Sequence, residues 1–146
     1  MLALIQRVSS AAVDIAEDRV AEIGPGLLVL ICIQPNDDTA LAQRLVQRVL
    51  KLRVFADDRG RLHHSLMETG GGLLLVPQFT LAADLTGGHR PSFSGAAPPE
   101  QGRQLFDQLV QEAKQHWPQT GAGVFGADMQ VSLTNDGPVT LWLELS

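Results

Sequence analysis

The chain has 146 residues, 45% hydrophobic and 18% charged, with a formal net charge of −5 at pH 7. Such a length and balance suit one globular domain, residues 1–146, and exclude a disordered or collagen-like chain. The acidic balance argues against a broad surface that coats nucleic acid and leaves room only for a local basic patch.

The start, MLALIQRVSSAAVDIAEDRV, lacks a basic region followed by a long apolar one, so no signal peptide is expected. Residues 1 to 33 read as β, with LALIQRV, AAVDIA and RVAEIG as short segments before an apolar strand from Gly26 to Ile33. That run is far short of the ~18 apolar residues that span a membrane, so a cytoplasmic protein is expected. Cys32 lies inside it as the single cysteine, which excludes an internal disulfide and favours a buried, inert thiol.

Pro35 and Asn36 then precede a helical pattern, with Asp37 and Asp38 suited to its N-terminus. Leu41, Leu45, Val49 and Leu52 form its apolar stripe, while Arg44, Arg48 and Lys51 share another face. DDRGR and ETGGG are turns, and LLLVPQFTL (73–81) reads as a buried strand. A polar loop, AADLTGGHRPSFSGAAPPE, follows. Loops of that length are usually functional or disordered. A second helix begins after Pro98-Pro99 and buries Leu105, Phe106, Leu109, Val110 and Ala113. VFGADMQVSL and PVTLWLEL are expected to pair as a hairpin across Asn135-Asp136. The fold class is therefore α/β, a single domain with a mostly antiparallel sheet or partial barrel and two main helices.

Little in the residues favours a familiar catalytic apparatus. His63, His64, His89 and His116 form no metal-ligand spacing, and no nucleophile elbow or phosphate-binding glycine loop is present. Thr80, beside a polar loop at the end of a buried strand, is the best hydroxyl candidate, although threonine is common in strands for packing alone. Gln78 would share its face on a regular strand, and it offers hydrogen bonds without a general base. By residue type alone this is a polar binding pocket with weak catalytic equipment.

PQFTLAAD, RPSFS, FGADMQVSL and NDGPVT, in that order, resemble the D-aminoacyl-tRNA deacylase family, as do MLALIQRVSSAAV and GLLVL. The likeness covers essentially the whole chain. It implies a cytoplasmic homodimer that hydrolyses the ester joining a D-amino acid to the terminal adenosine of tRNA, with glycine mischarged on tRNA as a second substrate class. It implies no metal and no organic cofactor. It implies that Gly137 and Pro138 form a cis dipeptide reaching into the partner subunit's pocket to exclude L side chains, a rejection of the abundant competitor. It also implies catalysis by backbone N–H groups around Phe79 and Thr80, helped by the substrate's ribose hydroxyl. Gln78 would orient the pocket. Phe79, Phe125 and Met129 would wall it, with plain core an equal reading for Phe125 and Met129.

The chain departs from the family pattern in two places. Pro77 stands where serine is usual, removing a hydroxyl and an N–H at the pocket rim. Val124 stands where an arginine commonly precedes the phenylalanine. Six of the eleven Lys/Arg residues fall between Arg44 and Arg61, so Arg44, Arg48 and Lys51 are candidate RNA contacts, with a solvated helix face as the alternative. A second class of function is a non-catalytic dimeric RNA- or protein-binding module, its site damaged by Pro77.

Overall fold

The computed structural model describes residues 1–146. The elements run β1 (Leu2–Ile15), β2 (Asp18–Ile23), β3 (Gly26–Cys32), α1 (Thr39–Lys51), β4 (Phe55–Ala56), β5 (Leu62–His64), α2 (Leu66–Thr69), β6 (Gly72–Pro77), α3 (Pro99–His116), β7 (Thr120–Ala122) and β8 (Gln130–Glu144). A short 3-10 turn, Phe79–Ala82, follows β6. No helix is long and apolar enough to cross a membrane.

The sheet runs β2-β1-β3-β6-β7, with β8 on the other edge of β1. Pairings to β1 are antiparallel, whereas β3–β6 and β6–β7 are parallel. The α/β reading with a partial barrel and two main helices holds. β2 crosses back over β6 and β7: a Cβ added to Gly72 would lie 2.8 Å from Ile23 Cβ, and one on Gly121 would lie 3.2 Å from Ala21 Cβ. At Gly72 a side chain would force the strands apart, and at Gly121 the fit would be tight.

Two local expectations change. LALIQRV and AAVDIA are one strand, because β8 pairs along the same edge of β1 from Leu2 to Asp14. The expected hairpin across Asn135-Asp136 does not form. Gln130 lies opposite Asp14 and Glu144 opposite Leu2, so β8 keeps one direction throughout. Residues 136 to 139 swell out between Asn135 (opposite Val8) and Thr140 (opposite Gln6). The turn residues do loop the chain out, but the long free edge of β1 recaptures it in the same direction.

The central strands are buried on both faces, as parallel strands usually are. Leu27, Val29, Ile31, Leu73 and Leu75 join α1 and α3 in the main core, while Leu28, Leu74 and Val76 meet Val8, Val13 and Ile23 inside the curl. α1 follows its stripe through Leu41, Leu45 and Val49, which are buried, while Leu52 is the C-cap and only half-buried. Its N-cap is Asp38, whose side chain accepts from Leu41 N–H at 2.8 Å. Asp37 instead accepts from the Met1 amino group at 3.0 Å and from Gln34 N–H at 2.7 Å, fastening the start of β1 to the β3–α1 connection.

Candidate active site

β6 ends at Pro77, not at Leu81. Leu73 and Leu75 direct their backbone groups toward β7, through Leu73 N–H to Gln119 O and Gly123 N–H to Leu75 O. By alternation the Pro77 nitrogen faces the same side, where β7 has already stopped at Ala122. A proline one step beyond the end of a ladder leaves no strand carbonyl unpaired. Gln78 N–H still reaches Ile31 O at 2.7 Å, and the chain then turns, with Leu81 N–H on Gln78 O and Ala83 N–H on Thr80 O.

Gln78 and Thr80 therefore do not share a strand face, contrary to the regular-strand expectation. They meet across the turn, where Gln78 Nε2 donates to Thr80 Oγ1. Phe79 and Thr80 are the first residues of this turn, and N–H groups in a first turn have no acceptor within it. Phe79 is 51% exposed and meets the Phe93 ring edge-on at 5.2 Å. Beneath it Cys32 Sγ donates to Phe79 O at 3.5 Å, and burial pushes the Cys32 thiol above its ordinary pKa. Cys32 is a packing residue, as its apolar setting predicts.

Met129 joins this group on the Pro77 side. A Cβ on Gly123 would lie 2.6 Å from Met129 Sδ and 3.4 Å from Pro77 Cδ, so the glycine lets the three pack together. Phe125 is half-buried against α3. Its ring lies where a Cβ on Gly102 would come within 3.1 Å, under the Arg103 guanidinium at 5.2 Å. Arg103 Nη1 also donates to Phe125 O at 3.2 Å. A guanidinium thus covers Phe125 although Val124 stands before it in sequence.

Gly137 and Pro138 lie elsewhere. Their peptide bond is cis, both residues are exposed, and they crown the bulge in β8. Arg7 braces that bulge: Nε donates to Asp136 O at 3.2 Å, Nη2 to Gly137 O at 3.4 Å and Nη1 to Val54 O at 2.7 Å. Asn135 Nδ2 closes its base on Arg7 O at 2.9 Å and Val139 O at 3.1 Å. Neither Arg7 nor Asn135 stands out in the sequence, because the carbonyls that Arg7 takes lie 47 to 130 residues away.

Arg7 pairs with Leu27 at one end of β3, while Cys32, under Phe79, pairs with Leu2 at the other. Five residues of strand, about 16 Å, separate those ends. The bulge and the turn of one chain are therefore apart. Arg44, Arg48 and Lys51 line a shallow depression of about 550 Å³ on α1. That helix runs toward Val54, the bulge end of the sheet, and away from the turn of its own chain.

A family model described as D-Tyr-tRNA(Tyr) deacylase matches residues 4–144. The chain belongs to the D-Tyr-tRNA(Tyr) deacylase family. Proteins named D-aminoacyl-tRNA deacylase from Methylibium petroleiphilum and Azotobacter vinelandii are 60% and 56% identical to it, over 97% and 99% of this chain and 93% and 99% of theirs. A solved structure named c-Myc DNA Unwinding Element Binding Protein has a TM-score of 0.93 at 35% identity, covering 100% of this chain and 99% of that one. A second, a probable eukaryotic D-amino acid tRNA deacylase, shares the fold at a TM-score of 0.89 and 15% identity, over 99% and 98% of the two chains.

Proposed function

We propose that this protein hydrolyses the ester of D-aminoacyl-tRNA, and of glycine mischarged on tRNA, and spares L-aminoacyl-tRNA. The observation that carries the reading is the Phe79–Ala82 turn, which presents two first-turn N–H groups beside an exposed aromatic ring, in a chain whose full-length relatives are named for this activity. An aminoacyl ester is already activated, so water can add to its carbonyl once the ester is positioned and the oxyanion is stabilised. The N–H groups of Phe79 and Thr80 receive the oxyanion, and Gln78 holds the Thr80 hydroxyl in place. The bond to the ribose oxygen then breaks, the oxygen takes a proton, and a free amino acid and tRNA leave. The Thr80 hydroxyl is hydrogen-bonded to the Gln78 amide and to no carboxylate or imidazole, so this reading gives it no nucleophilic role. The substrate's neighbouring ribose hydroxyl helps to position water.

Chiral rejection is assigned to Gly137 and Pro138 of a second copy, since about 16 Å of strand separates bulge and turn within one chain. A homodimer is also consistent with β8, a 15-residue edge strand bonded only to β1 and carrying exposed Leu133, Leu141 and Trp142. Long exposed edges of this kind are normally covered. Pro77, Met129 and Phe125 then shape one side of the pocket while the partner's backbone closes the other. Glycine has no side chain for that backbone to reject. The same docking would bring the basic face of α1, with Arg44, Arg48 and Lys51, to the neighbouring tRNA.

Hydrolysis of matched D-, L- and glycyl-tRNAs at substoichiometric protein tests the reading. Fast loss of the D and glycyl esters, with the L ester spared, is expected. Thr80→Ala is expected to keep most of its turnover, and a trapped acyl-enzyme on Thr80 would overturn the backbone mechanism. A nucleic-acid-binding module without turnover is the second reading, favoured by the name of the 35%-identical structure. Protection of all three esters in proportion to protein added would select it.

A further inference from the structure

The segment between Asp84 and Ser92 has no part in the site described above. Asp84 N–H donates to Ser92 O at 2.7 Å and Ser92 N–H returns to Asp84 O at 3.1 Å, so residues 85 to 91 form a closed finger. Its root is fixed at the active-site end of β3: Gln78 N–H bonds Ile31 O on one limb and Ala97 N–H bonds Ile33 O at 2.9 Å on the other. Phe93, one residue beyond the closing pair, packs edge-on against Phe79. The finger therefore stands beside the turn that holds the proposed ester.

Its tip, Leu85-Thr86-Gly87-Gly88-His89-Arg90-Pro91, is exposed throughout and contains no acidic residue. The carboxylate at its root, Asp84, is occupied by Thr86 N–H at 2.9 Å and Thr86 Oγ1 at 2.6 Å. Pro91 restricts Arg90 to extended backbone. Arg7, Arg19, Arg61 and Arg103 are held in ion pairs, and Arg44 and Arg53 bond to Ser146 O and His63. Arg90 has no such partner; Arg48 and Arg59 have none either, but of the three only Arg90 stands on the finger beside Phe79. In a chain of net charge −5, a polyanion is held near the site by local cations, such as Arg90 here and the basic face of α1.

We propose that the 85–91 finger grips the RNA strand entering the site, with Arg90 on a phosphate 5′ to the terminal adenosine and His89 beside it. Arg90 is three residues from Phe93, at most about 10 Å of chain, so its side chain stays close to the turn. A forked guanidinium suits that contact better than an ammonium. The inference rests on the proposed function for its ligand, and its test is chosen to separate the two.

The experiment compares the full-length protein with Arg90→Glu and Arg90→Lys. Uncharged tRNA binding is measured by fluorescence anisotropy across a salt series, and hydrolysis is measured on D-aminoacyl-tRNA and on D-aminoacyl-adenosine, which has no phosphate. Arg90→Glu is expected to weaken tRNA binding about tenfold and to flatten the salt slope by about 1, with Arg90→Lys between. The hydrolytic loss is expected only on the substrate that carries phosphates. Unchanged affinity and slope, or an equal loss on both esters, would overturn the proposal. Wild-type protein that binds tRNA through Arg90 yet hydrolyses neither ester would overturn the hydrolase reading alone.

Discussion

Replacing Arg7 by alanine should loosen the bulge while sparing the turn at Phe79–Ala82. The side chain is 12% exposed, and its shortest bond, 2.7 Å, goes to the part-buried carbonyl of Val54. A charged hydrogen bond contributes about 1.5–3 kcal/mol, and an orphaned carbonyl costs about 1–3 kcal/mol. The contacts to Asp136 and Gly137 are exposed, and an exposed ion pair is worth roughly 0–1 kcal/mol. Arg7→Ala is therefore expected to cost about 2–3 kcal/mol, lowering Tm by roughly 4–12 °C for a domain of this size. Asp136→Ala should cost under about 1 kcal/mol. Denaturant unfolding of both variants measures these values, and hydrolysis of paired D- and L-esters reads the function. Each ~1.4 kcal/mol of lost rejection should raise L-ester hydrolysis about tenfold, with D-ester hydrolysis changing less. Equal stability losses in the two variants, or D- and L-ester rates that move together, would refute the brace.

Phe106→Ala, at a core position 1% exposed, should cost about 3–5 kcal/mol in denaturant unfolding. Gly123→Ala should cost about 1–2 kcal/mol by pressing on Met129, and about 1 kcal/mol of that should vanish in a Met129→Ala background; full additivity would place the clash elsewhere. Backbone N–H bonds from Arg61 and Arg59, joined by the Arg61 side chain, hold the Asp57 carboxyl below its ordinary value of 3.8. Its stabilisation is present above that pH and is lost as pH falls through the lowered value. Asp57→Asn should be less stable than the native chain at pH 7, with the gap closing below about pH 3.8; a gap constant down to pH 2 would refute this.

Much of the frame was legible because it depends on local periodicity. The α1 stripe of Leu41, Leu45 and Val49, the apolar run of β3 and the α3 face of Phe106, Leu109 and Ala113 all fold as their spacing indicates. The motif PQFT and the dipeptide Gly137-Pro138 were also visible as unusual chemistry in an otherwise ordinary chain. Their places in space were not.

Three outcomes depended on tertiary structure. Asn135-Asp136-Gly137 reads as a reversal, but the unpaired edge of β1 gives the strand after it something to rejoin, so a bulge forms in place of a hairpin. Gln78 and Thr80 read as strand neighbours, but β7 ends before Pro77 and frees the chain to turn, which opens the N–H groups of Phe79 and Thr80. Arg7 reads as one more polar residue in an alternating strand, yet it is the clamp on a segment some 130 residues away. Residue pattern determines which faces are buried, because burial depends on period. The direction of a chain leaving a ladder, and the carbonyls a guanidinium finds, depend on which edges remain free once the sheet has assembled.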